Sequence, residues 1–274
     1  MQEAAPGATT SGSEAAPPPT TSGPPVLIVG GFLTSPFLYR RMRQRLLARG
    51  AASVAIAPIW TPDWLAAMLV GYRRLTGRTA NAIRRAHATA GGVPLLVIGH
   101  SGGGVLARLA MAPRQSAAAA ADVAPRVGAL VTLGSPGRIF DQVPHPPSVD
   151  AFRFLERTTP GAFFAPRTGY VTVASRYMEG RGRWWDLRRW SVGLLYAIFV
   201  GHRGRRGWGD SLIPVDASHL DGAEQITLEG IAHGQAIASW YGDDRGLDGW
   251  WDAAVAAWRM ALAARASERA EPPT

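Results

Sequence analysis

Ser101 stands among glycines in LLVIGHSGGGVLARLAM (95–111), where an apolar run of strand character gives way to a helical one. A serine hydroxyl is a weak nucleophile and has to be presented to a base. A sharp strand-to-helix turn lifts such a side chain clear of a sheet. It needs neighbours without bulk two residues before and two after, and Gly99 and Gly103 stand there. The backbone N–H of the next residue, Gly102, then sits at a helix N-terminus, where it can hold a developing oxyanion. His100 lies inside the same turn and cannot reach back to Ser101 as its base. A phosphate cradle is a weaker reading, since no Lys follows the glycines.

A base and an acid are needed further along. Six histidines compete: His87, His100, His145, His202, His219 and His233. His233 follows the strand-like ITLEG in the loop GIAHGQ, and a loop after the last strand reaches the same edge of a parallel sheet as Ser101. His219 is the alternative. His87 precedes the nucleophile on a helical stretch, and His145 and His202 read as loop polar residues. For the acid, GWGDSLIPVDASHLDGAEQ offers Asp210, Asp216 and Asp221. Asp210, flanked by Gly209 and Ser211, is placed where a turn could aim its carboxylate inward. The chain order Ser, Asp, His suits all three. Asp186, in RWWDLRR, reads as a surface partner of Arg.

Alternating strands and helices must position these groups. Strands are expected at 26–31, 53–59, 94–99, 127–136, 170–175 and 224–230. Helices are expected at 35–50, 79–92, 103–112 and 247–266. Continuous apolar strands separated by helices imply an α/β fold, with a mostly parallel sheet covered on both faces. Two long connections, 137–169 and 176–209, interrupt the alternation and read as cap-like insertions. Within the second, WWDLRRWSVGLLYAIFVG (184–201) reads either as a cap able to meet a lipid surface or as a buried helix.

The chain has 274 residues, is 47% hydrophobic, and carries a net charge of +9, all of its basic residues being Arg. That suits one domain with a substantial core, expected over 25–266. The arginine runs near 40–43, 188–189 and 203–206 read first as solvated surface; phosphates or anionic lipid are their other reading, and no nucleic-acid partner is expected. The absence of Cys excludes disulfides, a thiolate nucleophile and Cys-ligated zinc. The opening residues lack both a basic region and an apolar core, so no secretory signal is expected. Residues 1–24, rich in Pro, Ser, Thr and Ala, cannot offset chain entropy and are expected to be disordered, as is the tail 267–274. The ten-residue apolar run 192–201 is too short for a bilayer, which needs about 20. A cytoplasmic protein, free or peripheral to a membrane, is expected.

Four blocks in order, VLIVGGFLTSPFLY, LLVIGHSGGGVLAR, LVTLGSPG and WGDSLIPVDASHLDGAEQITLEGIAHG, resemble the α/β-hydrolase fold and its small bacterial lipase/esterase-like branch over about residues 25–260. The resemblance implies that the acid is Asp210 and the base His233. It also implies that Phe32, in the loop after the first strand, supplies the second oxyanion N–H. Lipases often carry His-Gly where this chain has Gly30-Gly31, but a backbone donor does not depend on that His. The implied activity is two-step acyl transfer from a small-molecule or lipid ester, with no metal or other cofactor. Acyl transfer to an alcohol on the same machinery, and a non-catalytic binding protein of this fold, are the alternatives. Trp240-Tyr241-Gly242 receives no role.

Overall fold

The computed structural model describes residues 23–113, 122–137, 149–181, 184–201, 206–236 and 238–270. The expected N-terminal tail lies outside them except for Gly23 and Pro24, as do His145 and His202. Among the described residues the central sheet has six strands, all parallel: β1 (Pro25–Val29), β2 (Ser53–Ile56), β3 (Leu95–His100), β4 (Val127–Leu133), β5 (Gly169–Arg176) and β8 (Glu224–Glu229), in the order β2-β1-β3-β4-β5-β8. A separate antiparallel pair, β6 (Met178–Glu179) and β7 (Trp208–Gly209), forms a short ribbon.

Side chains alternate across a strand, so each strand feeds two cores. In β1, Leu27 and Val29 face a core with α2 (Thr61–Val70), α3 (Arg73–Thr89) and α4 (Gly102–Met111). Val26 and Ile28 face the opposite core, with α1 (Arg40–Ala48) and the closing helix α9 (Trp251–Ala270). Burial on both faces is why these strands read as unbroken apolar runs. The edge strand β8 is only half covered, and its pattern EQITLE is correspondingly polar.

Among the described residues, three helices of ten or more residues go beyond the expected set, together with two short ones, α7 (Val215–Ser218) and α8 (Asp244–Asp248), and α3 starts earlier than expected. α2 follows Trp60, whose N–H is bound by the Asp63 carboxylate at 3.0 Å, and Pro62 sits in its first turn. Those are ordinary helix-start signals in TPD, hidden because the residues that follow are apolar without helical period. α3 begins at Arg73 rather than 79, its first turn closed by Thr76 Oγ1 donating to Tyr72 O at 2.9 Å. α5 (Val149–Thr158) lies in the first long connection and α6 (Leu187–Val200) in the second. α6 buries Val192, Gly193, Tyr196 and Val200 and leaves Leu187, Trp190 and Ile198 exposed. It is therefore half buried, with apolar residues on its open side as well as its covered one. Asp186 caps it by accepting the Arg189 N–H at 3.2 Å.

Several expected ends move: β1 stops at Val29 rather than 31, β2 at Ile56 rather than 59, and the closing helix starts at Trp251 rather than 247. The strand expected to reach 136 stops at Leu133, because Gly134 turns the chain at φ +50°. The closing helix runs to Ala270, past the expected end at 266. Its last turn is held by Ser267 Oγ donating to Ala263 O and by Glu268 paired with Arg167 at 3.2 Å. Arg108, buried on α4, donates to Gly137 O (2.8 Å) and Thr159 O (3.2 Å), tying the start of the first long connection to the end of α5. Among the described residues, no helix is long and apolar enough to cross a membrane.

Candidate active site

β3 ends at His100 and α4 begins at Gly102, so Ser101 is the turn itself. Its backbone is left-handed (φ +52°), a conformation that costs free energy for a residue with a side chain and persists only when packing enforces it. The packing is visible at both glycines. A Cβ on Gly99 would overlap Gly104 Cα, and one on Gly103 would overlap the Val29 carbonyl oxygen. The helix can therefore sit this close to β3 and β1 only with hydrogen at those positions. Gly31 is equally confined, since a side chain there would meet Ser101 Cβ at 2.9 Å.

The loop after β1 crosses beside this turn. A side chain on Gly102 would lie 3.5 Å from the Phe32 nitrogen and 3.2 Å from the Trp64 ring. The Phe32 nitrogen thus lies close to Gly102, the residue after Ser101, with the Trp64 ring of α2 beside both. The Phe32 ring stands edge-on to Trp64, ring centres 5.5 Å apart, and is itself partly exposed.

His233 and Asp210 meet from two loops. His233 N donates to Asp210 O (2.7 Å), and the imidazole Nδ1 lies 2.8 Å from Asp210 Oδ2. A carboxylate only accepts, so Nδ1 carries the proton and Nε2 is free to act as a base. Asp210 is buried, and its other oxygen accepts Leu212 N–H (3.0 Å) and Ile213 N–H (2.8 Å). Burial alone would raise its pKa. The His233 charge, the Nδ1–H and the two backbone donors outweigh burial and hold the carboxyl below its usual range. Among the described residues no hydrogen bond joins the Ser101 hydroxyl to His233.

The remaining candidates lie elsewhere. His219 sits between Thr172 Oγ1 (2.9 Å) and Thr227 Oγ1 (3.1 Å), a bridge between β5 and β8. His87 is 3.2 Å from an Arg126 guanidinium nitrogen. Asp216 and Asp221 are exposed.

Three residues that the sequence reading gave no part, or only a local one, join this cluster. The His100 Nε2–H donates to His233 O at 2.9 Å, so its Nδ1 accepts from the Tyr39 hydroxyl, also at 2.9 Å. Tyr39 in turn accepts the Gly31 N–H at 2.8 Å. Burial, then the charge of His233, pushes His100 down to about 3, so it stays a neutral bridge. Through it the loop carrying Phe32 is tied to the backbone of His233. Tyr241 is the third, and its hydroxyl donates to Asp210 Oδ2 at 2.9 Å. An unassigned aromatic near a candidate His was the one signal available for it.

No family model and no curated protein matches this chain. Solved structures do. The mature form of the Bacillus licheniformis lipase BlEst2 is similar with a TM-score of 0.53 at 16% identity, over 78% of this chain and 86% of that one. EstE1, a thermophilic and thermostable carboxylesterase cloned from a metagenomic library, is similar with a TM-score of 0.44 at 16% identity, over 89% and 82%.

Proposed function

We propose that this chain, which has the α/β-hydrolase fold, is a serine hydrolase of carboxylic esters working through Ser101, His233 and Asp210. The observation that carries the reading is the 2.8 Å contact of His233 Nδ1 with the buried Asp210 carboxylate, on the same sheet edge as a serine held at φ +52° between packed glycines. In this mechanism Ser101 Oγ attacks the acyl carbon while His233 Nε2 takes its proton. The carbonyl oxygen becomes an oxyanion facing the N–H groups of Phe32 and Gly102; one such donor is typically worth about 3–4 kcal/mol. The ester C–O bond then breaks, and the alcohol leaves with the proton from His233. Water, deprotonated by His233, attacks the acyl carbon; the bond to Ser101 Oγ then breaks, the acid leaves, and His233 returns the proton to Oγ. Asp210 holds the imidazole tautomer and stabilises its charged form throughout.

Labelling with a fluorophosphonate, followed by peptide mapping, tests this reading. One adduct on Ser101 is expected, together with turnover of p-nitrophenyl esters. Labelling at another residue, or none in a folded protein, overturns it.

The substrate is read here as a lipid-like ester met at an anionic lipid surface. Leu65, Met68, Leu69 and Val70 at the end of α2 are exposed, as are Trp184, Trp185 and Leu187 leading into α6. Both helices belong to connections leaving the sheet edge that carries Ser101. Exposed apolar groups beside arginines, Arg73 and Arg74 at one and Arg188 at the other, suit an anionic interface. The double variant Leu69→Asp, Leu187→Asp changes only exposed positions and is expected to keep its melting temperature and its turnover of short soluble esters. It should lose sedimentation with phosphatidylglycerol vesicles and about tenfold or more of its activity on emulsified long-chain esters, since two new charges oppose insertion. Unchanged vesicle binding would remove the lipid-surface reading and leave the esterase reading standing.

A further inference from the structure

We infer that Tyr241 is a positioning residue for this site: its hydroxyl, bound to the same Asp210 oxygen that holds His233, limits how tightly the acid grips the imidazole. The inference rests on the hydrolase reading above for its kinetic consequences. The geometry stands by itself. Asp210 Oδ2 accepts from His233 Nδ1 at 2.8 Å and from Tyr241 at 2.9 Å, while Oδ1 is occupied by two backbone N–H groups. All four donors are neutral when His233 is neutral. When it is charged, Oδ2 has to be shared between an imidazolium and a phenol. Each donor draws charge from the oxygen, so the phenol reduces what the imidazolium can gain.

The contact is built into the fold. Tyr241 is fully buried, and its own carbonyl accepts the Trp250 Nε1–H at 3.0 Å. The preceding Trp240 N–H donates to Asp243 (2.9 Å), and Ala232 N–H donates to Ser239 O (2.7 Å), strapping this segment to the loop of His233. Gly134 makes the room. A side chain there would overlap Asp210 Oδ2 and reach the Tyr241 ring at 2.9 Å. Burial, then the neighbouring Asp210 charge, raises the Tyr241 phenol well above its ordinary range, so it remains a donor.

Other groups facing the pair are accounted for. His100 stacks near His233, ring centres 4.9 Å apart, but stays neutral as described. Tyr196 of α6 reaches the acid loop by accepting the Ser211 N–H at 3.0 Å, and burial raises its phenol as well. Neither changes charge in the range where an esterase would be assayed.

The experiment is Tyr241→Phe in the full chain. Without the competing donor, the acidic limb of the kcat/KM profile is expected to move up by about 0.5–1 pH unit, the scale of one shared charge-assisted hydrogen bond. KM is expected to stay near wild type. The His233 Nδ1 proton resonance should move downfield as its bond to Oδ2 tightens. Trp258→Phe, a buried change at the far end of β3 where the indole donates to Pro94 O, is the packing control and should move neither readout. If Tyr241→Phe does not fold, 3,5-difluorotyrosine at 241 preserves the shape with a stronger donor, and the limb should move down instead. A folded variant whose acidic limb and Nδ1 resonance both match wild type overturns the inference. If the wild-type protein shows no Ser101-dependent turnover, the hydrolase reading fails instead, and the resonance still decides whether Tyr241 controls the Asp210–His233 bond.

Discussion

Ser101→Ala is expected to lower ester turnover by about 10⁶-fold, with a melting temperature close to that of the wild type. Removing the nucleophile of a triad costs about as much as removing all three members, because the base and acid then have nothing to activate. A residual rate of about 10³–10⁴ over water would persist from the Phe32 and Gly102 N–H groups and from substrate binding. The variant should fold, since the left-handed turn at 101 is imposed by the close approach of α4 to β3 and β1 rather than by the hydroxyl. Turnover of p-nitrophenyl esters and fluorophosphonate labelling check it together. A folded variant that keeps most of its activity would mean that the chemistry is done by another residue.

Asp210→Asn is expected to lower kcat by about 10⁴-fold, whereas Asp216→Asn and Asp221→Asn should stay near wild type. The hydrogen bonds give the reason. Leu212 N–H and Ile213 N–H require an oxygen at the position of Oδ1. The amide NH₂ of the new side chain must then take the place of Oδ2. It would point a donor at His233 Nδ1, which favours the opposite tautomer, with the proton on Nε2 facing Ser101. It would also point a donor at the Tyr241 hydroxyl. The imidazole would be held in place but in the wrong protonation state, so KM should change far less than kcat. Asp216 and Asp221 are exposed and do not touch His233, so their amides have no such consequence. A kcat loss of the same size for Asp216→Asn, with Asp210→Asn near wild type, would reverse the assignment.

The helix α2 shows one limit of reading this chain as a sequence. TPDWLAAMLV has a proper start in Pro62 and Asp63, but its apolar residues do not repeat at helical spacing. The period is missing because α2 lies beside the turn that carries Ser101, burying Trp64 and Ala67 below while Leu65, Met68, Leu69 and Val70 face outward. Periodicity reports a helix with one apolar face against one core. It is blind to a helix that also exposes apolar residues. For α6 the spacing was present, as Val192, Tyr196 and Val200 recur every four residues, but it was masked by Leu194, Leu195 and Phe199 between them.

By itself the sequence determined what depends on neighbours along the chain. The strand, turn and helix around Ser101 follow from an apolar run, glycines at 99 and 103, and the helical residues after them. The two-sided sheet follows from β1, β3, β4 and β5 being apolar at successive positions. It also offered three aspartates for the acid, of which position and resemblance favoured Asp210, and it favoured one histidine. Tertiary structure decided everything that joins residues distant in sequence: β8 pairing with β5, Asp210 rather than Asp216 or Asp221 lying against His233, Tyr39 meeting His100 across 61 positions, and Tyr241 meeting Asp210 across 31. The physical reason is one of range. Glycine spacing and burial periodicity act within a turn or a strand and leave a mark on composition there. A hydrogen bond between two loops leaves no local mark, because its geometry is set by how the sheet edge brings those loops together.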